Sequence, residues 1–167
     1  LFCKVRGSAK DLQLPRANVW VQDDLDFDFA YLSFPSARDD SWNTRFPGTS
    51  LVEVVVEARY DAFPRDRDSD AYQKRKTDLA HKMMRVLLER FPQLEGKVEW
   101  WESSTPLTAE RYLGSFRGCT YGVRAGPARY RAVREGILSP ATPVPGLFLA
   151  GQDVLSCGVF GAGMGGM

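Results

Sequence analysis

The residues best suited to chemistry cluster near the end of this 167-residue chain, at Gly151-Gln152-Asp153 and from Gly158 onward. Asp153 is the sole charged residue between Gly136 and Met167. It follows Leu147-Phe148-Leu149-Ala150, a short apolar run that reads as a buried strand of parallel type. It precedes Gly158 to Met167, a small-residue run without Pro that reads as the start of a closely packed helix. A strand, a Gly-x-Asp turn and a Gly-rich helix start present ligand groups at the carboxyl ends of strands in dinucleotide folds. Gly151 lets a ligand approach the backbone, and Asp153 can accept hydrogen bonds from sugar hydroxyls. Free N–H groups at the Gly158 helix start would point outward and suit an electron-rich carbonyl or a phosphate. Gly161, Gly163 and Gly165 would let the helix sit tightly on a strand or cofactor. Gly-x-Asp alone is a weak motif. The plain alternative is a strand–turn–helix whose Asp merely serves the turn or caps the helix.

No second constellation competes with this one. His81 is the only histidine, and its place in a long helical pattern reads as a surface residue rather than a base. Cys3, Cys119 and Cys157 are too few and too scattered for a disulfide framework or a zinc site, which fits a reducing compartment. One histidine and no reactive-looking cysteine equip the chain poorly for a Ser/His or Cys/His triad. No catalytic residue and no metal ligand is nominated. Lys+Arg of 22 against Asp+Glu of 21 leaves a net charge of +1, which argues against a nucleic-acid binder. With 44% hydrophobic and 26% charged residues the composition is that of a globular chain, long enough for a core and for one domain or two small pieces. No apolar run of 18 residues that could span a bilayer is present. The chain does not begin with Met, shows no leader, and stops inside a Gly-rich run, so it reads as a piece of a longer protein.

The elements that must position these residues are strand-like first. Leu1 to Val5, Asn18 to Gln22, Phe29 to Phe34 and Ser50 to Arg59 read as strands, the last on Val52, Val54, Val55 and Val56. Ala9 to Leu12 reads as one helical turn, Asp23, Asp24, Asp26 and Asp28 as a solvated loop, and Ser36 to Gly48 as loop. A long basic helix is capped by Asp68, Ser69 or Asp70 and closed by Pro92. Its apolar stripe is Tyr72, Leu79, Met83, Val86 and Leu87, which should pack on the sheet. Lys97 to Ser103 reads as a strand with Trp100 and Trp101 on opposite faces. A short helix then starts at Thr105-Pro106 and runs to about Leu113. Gly114, Gly118 and Gly122 mark a loop, and Ile137 to Gly146 is Pro-rich loop. Trp20, Trp42, Trp100, Trp101, Tyr112, Phe116 and Tyr121 could line a channel or belong to ordinary packing.

Several ordered segments carry a resemblance. Thr142-Pro143-Val144-Pro145-Gly146-Leu147-Phe148-Leu149-Ala150-Gly151-Gln152-Asp153, then Cys157-Gly158-Val159-x-Gly161-Ala162, resembles the C-terminal flavin-binding motif of the phytoene desaturase, carotenoid isomerase and retinol saturase superfamily. Phe34-Pro35-Ser36-Ala37-Arg38-Asp39-x-x-Trp42, Phe91-Pro92-Gln93-Leu94, and Thr105-Pro106-Leu107-Thr108 through Arg111-Tyr112-Leu113, Gly118 and Tyr121-Gly122 resemble the retinol saturase branch in the same order. The resemblance covers nearly the whole chain.

The resemblance implies a mixed α/β fold: an antiparallel-sheet substrate domain with helices, over residues 1–124, and a C-terminal strand–helix return into a Rossmann-type FAD domain, over 125–167. It implies FAD as cofactor, with NAD(P)H as a candidate reductant. Gly151, Gln152, Asp153, Gly158, Val159, Gly161 and Ala162 are the implied cofactor-binding residues. Thr105, Tyr112, Tyr121 and Gly122 are substrate-channel candidates. The implied activity is oxidoreduction of an apolar conjugated polyene, a retinoid or carotenoid, by reduction, desaturation or isomerisation. Such chemistry belongs mainly to the flavin, which fits the lack of an acid–base constellation. An apolar substrate implies peripheral membrane association, at the endoplasmic reticulum or a plastid. The Gly-x-Gly-x-x-Gly fingerprint for the ADP pyrophosphate is absent from these residues. The missing partner is therefore the N-terminal part of the same protein, and the 167 residues alone are expected to be inactive and flavin-free. The stretch from Asp23 to Phe29 is also shorter than the resemblance leads one to expect. The rival readings are a non-catalytic remnant that binds lipid or protein, and a related flavin amine oxidase.

Overall fold

β-Branched residues alternating along Thr49–Val56 place Ser50, Val52 and Val54 on a buried face, and this strand becomes the centre of a sheet. The computed structural model describes residues 1–22 and 27–166. Its sheet has five strands: β1 (Phe2–Arg6), β2 (Val19–Gln22), β3 (Phe29–Ser33), β4 (Thr49–Val56) and β5 (Val98–Glu102). The spatial order is β2-β3-β4-β1-β5 and all pairings are antiparallel. The four strands expected before the long helix and the one after it are present. Trp100 pairs with Lys4 and Trp101 with Cys3, so the two tryptophans do point to opposite faces. Asp23, Asp24 and Asp26 lie outside the described residues.

The chain divides into two compact units, Leu1–Thr108 and Ala109–Met167. That division falls ahead of the boundary expected at Arg124. In the first unit the long helix α3 (Asp70–Arg90) covers the buried sheet face with Ala80, Met83, Val86 and Leu87. Ser69 caps it, its Oγ accepting from Tyr72 N–H at 3.3 Å. His81 is exposed, edge-on to Trp101 at 5.8 Å between ring centroids. Tyr72 leaves the main core for a small cluster with Phe63 and Leu107, where its hydroxyl shares a 2.8 Å hydrogen bond with Thr105 Oγ1.

Among the described residues of this unit, the opposite sheet face is left exposed at several large apolar side chains. Trp20 lies across from Tyr31, and Tyr31 across from Val55. Trp20, Val55, Phe2 and Trp100 are 62%, 52%, 47% and 52% exposed, an unusual amount of apolar surface for one sheet face.

Ser36 to Gly48 is more ordered than the loop the sequence suggests. It holds two one-turn helices, α1 (Pro35–Arg38) and α2 (Trp42–Arg45). Pro35 fixes the first helical φ, and the Asp39 carboxylate binds Ser41 N–H at 2.9 Å and Ser41 Oγ at 2.7 Å. Trp42 Nε1 donates to Thr49 O at 2.9 Å, tying α2 to the start of β4.

The helix α4 (Pro106–Leu113) begins at Pro as expected. The second unit adds α5 (Pro127–Arg134), absent from the sequence reading, and α6 (Gly158–Met164). Leu147 to Ala150 is not a strand. Phe148 makes a single bridge to Ala141, and Leu147, Phe148 and Leu149 are 51%, 70% and 50% exposed. A strand needs a neighbouring strand for its backbone groups, and here the partners are local: Pro140 O accepts from Leu149 N–H at 2.8 Å, Val144 O from Leu147 N–H at 3.1 Å, and Thr142 Oγ1 donates to Leu147 O at 2.8 Å. No helix among the described residues is long and apolar enough to cross a membrane.

Candidate functional site in the second unit

The second unit brings the Gly-x-Asp turn against the loop at Thr120–Val123. Two hydrogen bonds join them directly, and Arg129 bridges them with two more. Asp153 Oδ1 accepts from Val123 N–H at 2.9 Å, and Gln152 Nε2 donates to Thr120 O at 3.1 Å. Arg129 Nη1 donates to Val123 O at 3.1 Å, and Arg129 Nη2 makes a short contact to Gln152 O. Gly122 makes the approach sterically feasible: a Cβ there would stand 2.5 Å from Asp153 Oδ2.

A cavity of about 370 Å³ opens beside this junction, lined by Leu113, Ser115, Phe116, Cys119, Thr120, Gly122, Gln152 and Asp153. Ser115 Oγ is shut off from solvent and has no hydrogen-bond partner among the described residues. A buried hydroxyl of that kind costs free energy unless something supplies its bond. Gly151 lies alongside with φ +102° and nothing within 4 Å of where a Cβ would point. This donor and acceptor set fits a hydroxylated chain such as the ribityl part of FAD, and the cavity is large enough for a segment of that cofactor rather than the whole. Among the described residues no three His, Cys, Asp or Glu side chains gather to hold a metal ion.

The helix start differs from the expectation. Gly158 N–H does not point outward; it donates to Gln152 Oε1 at 3.3 Å. Gln152 therefore performs the capping that the plain reading gave to Asp153, because its longer side chain reaches from the turn to the first helical N–H. The glycines of α6 also have distinct partners. A Cβ at Gly161 would stand 1.7 Å from Ser156 O, and one at Gly165 2.8 Å from Gly151 O, so both permit the helix to close on its own turn. Gly163 faces open space. Val159 is 93% exposed, and Ala162 is partly buried on the same helix.

The channel candidates separate. Gly122 lines the cavity; Tyr121, next to it, is 43% exposed, and Tyr112 on α4 is 73% exposed. Thr105 belongs to the first unit, buried, with its hydroxyl engaged by Tyr72 and its backbone N–H by Thr108 Oγ1 at 3.1 Å. Two residues the sequence did not single out join the site. Ser115 and Arg129 carry no distinguishing pattern, although Gly126-Pro127 is a fair helix-start signal that would have placed α5.

The chain is similar to curated proteins over nearly all its length. It is 35% identical over 188 aligned positions to a human protein named all-trans-retinol 13,14-reductase, matching 97% of this chain and 31% of the relative. A rat protein of the same name is 33% identical, again with 97% of this chain and 31% of the relative matched. A zebrafish protein named inactive all-trans-retinol 13,14-reductase is 31% identical, with 81% of this chain and 23% of the relative matched. The chain thus spans about a third of the length of the first two relatives. The 188 aligned positions exceed the 167 residues of this chain, so the human relative carries residues that this chain lacks. No protein-family model matches, and no solved structure matches.

Proposed function

This chain is a relative of the all-trans-retinol 13,14-reductases of the retinol saturase branch, and from that premise we propose that it is part of an FAD-dependent oxidoreductase that reduces a retinoid. The observation that carries the cofactor half of this reading is the cavity at Gly122 and Asp153, whose wall includes Ser115 with its buried, unpartnered hydroxyl. In this reading Asp153 Oδ2 binds a cofactor hydroxyl, and Gly151 lets the backbone come close. Gln152 and Gly158 hold the turn and helix in register. Val159, Gly161 and Ala162 belong to the helix that supports this surface. Bound FAD, once reduced by the reductant, would supply a hydride to one carbon of a carbon–carbon double bond, and a proton from solvent would complete its saturation.

The chain's own share is binding and exclusion of water. The exposed sheet face of the first unit, with Trp20, Tyr31, Val55, Phe2 and Trp100, offers the apolar surface a polyene needs. Within the second unit, Tyr112, Tyr121 and Gly122 are candidates for substrate contact. The exposed run Leu147-Phe148-Leu149 and the exposed Val159 and Phe160 are the surfaces that a Rossmann-type half, in the remainder of the protein, would cover. The polyene itself draws the enzyme to a membrane surface, and NAD(P)H is the candidate reductant. Whole-protein turnover with retinoids, carotenoids and amines tests the reading. Saturation of all-trans-retinol with stoichiometric flavin supports it; amine oxidation refutes it. The zebrafish relative named inactive favours a second reading, a non-catalytic lipid binder. Retinol binding without turnover would establish that reading instead.

A further inference from the structure

Arg129 is only 3% exposed on α5, yet no carboxylate among the described residues pairs with it. Its two terminal nitrogens go to backbone carbonyls of two different segments, Val123 and Gln152, and its Nε is buried without a partner. Burying an arginine this way is costly, so its geometry calls for a reason beyond filling space. The two carbonyls flank the Asp153 carboxylate. Val123 gives its C=O to Arg129 and its N–H to Asp153 Oδ1, while Gln152, whose C=O receives the other nitrogen, immediately precedes Asp153. The cation thus ties together the two segments that the Asp153–Val123 hydrogen bond also joins.

We propose that Arg129 is a positioning residue for cofactor binding, acting through Val123 and Gln152 to hold the Asp153 carboxylate at the mouth of the cavity. The inference rests on the reading of Asp153 as a cofactor ligand given above. A guanidinium suits the task because its rigid planar fork spans two carbonyls, whereas a lysine ammonium is a single flexible point charge.

The test is FAD titration by flavin fluorescence, beside urea unfolding, on the full-length protein as wild type, Arg129→Lys, Asp153→Asn and the double variant. Arg129→Lys should keep the unfolding midpoint and bind FAD about tenfold more weakly, the scale of one hydrogen bond to a charged group. The double variant should bind no more weakly than Asp153→Asn alone, because Arg129 acts through that carboxylate. Wild-type affinity in Arg129→Lys overturns the proposal. So does a loss that adds to that of Asp153→Asn, or one that follows a fall in the unfolding midpoint. A wild-type protein that binds no FAD refutes the functional reading itself, and with it this inference.

Discussion

The two units are held together by different physics. Residues 1–108 bury Val5, Leu32, Phe34, Val52, Val54, Leu87 and Leu94 completely or nearly so, between one sheet face and α3. In residues 109–167 the only buried apolar side chain described is Val154, and the other interior positions are Arg129, Gly161 and Gly165. The first unit is a conventional apolar core. The second is a set of backbone approaches permitted by glycine and tied by side chains that bind carbonyls and N–H groups. Apolar burial gives stability that does not depend on fine geometry. Polar cross-ties fix geometry while adding little net stability, which is how ligand-binding segments come from the low-stability end of a fold.

That contrast predicts opposite outcomes for substitutions in the two units. The largest effect is expected for Leu87→Ala in the first, because Leu87 is fully buried against the sheet. It should cost about 2–5 kcal/mol by urea unfolding while leaving the FAD affinity of the folded full-length protein unchanged. An unchanged midpoint would mean that this face of α3 is not the core.

Asp153→Ala should do the reverse. Losing a hydrogen bond from a charged group, about 1.5–3 kcal/mol, predicts about a ten- to hundredfold loss of FAD affinity in titration. The unfolding midpoint of the first unit should not move. Lowered stability with unchanged affinity would show that Asp153 serves only the Val123 turn. Gly122→Ala sharpens this. Its new methyl would press on Asp153 Oδ2, the free end of a side chain already held by Val123 N–H. It should displace the carboxylate and weaken FAD binding by about threefold to tenfold, less than removing the carboxylate, with stability shifted by about 0.5 kcal/mol or less.

The smallest effects are at the thiols. Burial pushes the Cys3 thiol up to about 11, whereas Cys119 is exposed at the cavity. Cys119 should react first with a neutral thiol reagent and be slowed by FAD, and Cys3 should react only on unfolding. The Cys3 contribution to stability is full below its ordinary value of 9.0 and is lost as pH rises through about 11. Rapid native labelling of Cys3 would contradict the burial of β1.

The contrast also explains what could be read from the sequence. Where burial imposes a period, as in β4 and α3, alternation and helical spacing mark the element and most of its buried face, and narrow the cap to Asp68, Ser69 or Asp70, of which Ser69 serves. Where side-chain hydrogen bonds shape the backbone, no period exists to read. The one-turn helices at Pro35–Arg38 and Trp42–Arg45 depend on Asp39 and Trp42 contacts, and were invisible in a run of loop-forming residues. The run Leu147 to Ala150 has the composition of a buried strand but no sheet beside it among the described residues. At the site, the Gly-x-Asp pattern marks the turn at Gly151–Asp153. The exchange of roles between Gln152 and Asp153 is not legible there, because it depends on which side chain reaches Gly158 N–H. Arg129 was hidden for a similar reason: α5 carries three arginines, and nothing in their spacing marks the one that is buried.

Amide hydrogen exchange on the full-length protein, with and without FAD, tests the central claim most directly. The account predicts FAD-dependent protection at residues 115–123 and 151–158, with the buried strands of the first unit equally protected in both states. Protection confined to other segments, with 115–123 and 151–158 unchanged, would contradict the assignment of this turn and cavity to the cofactor.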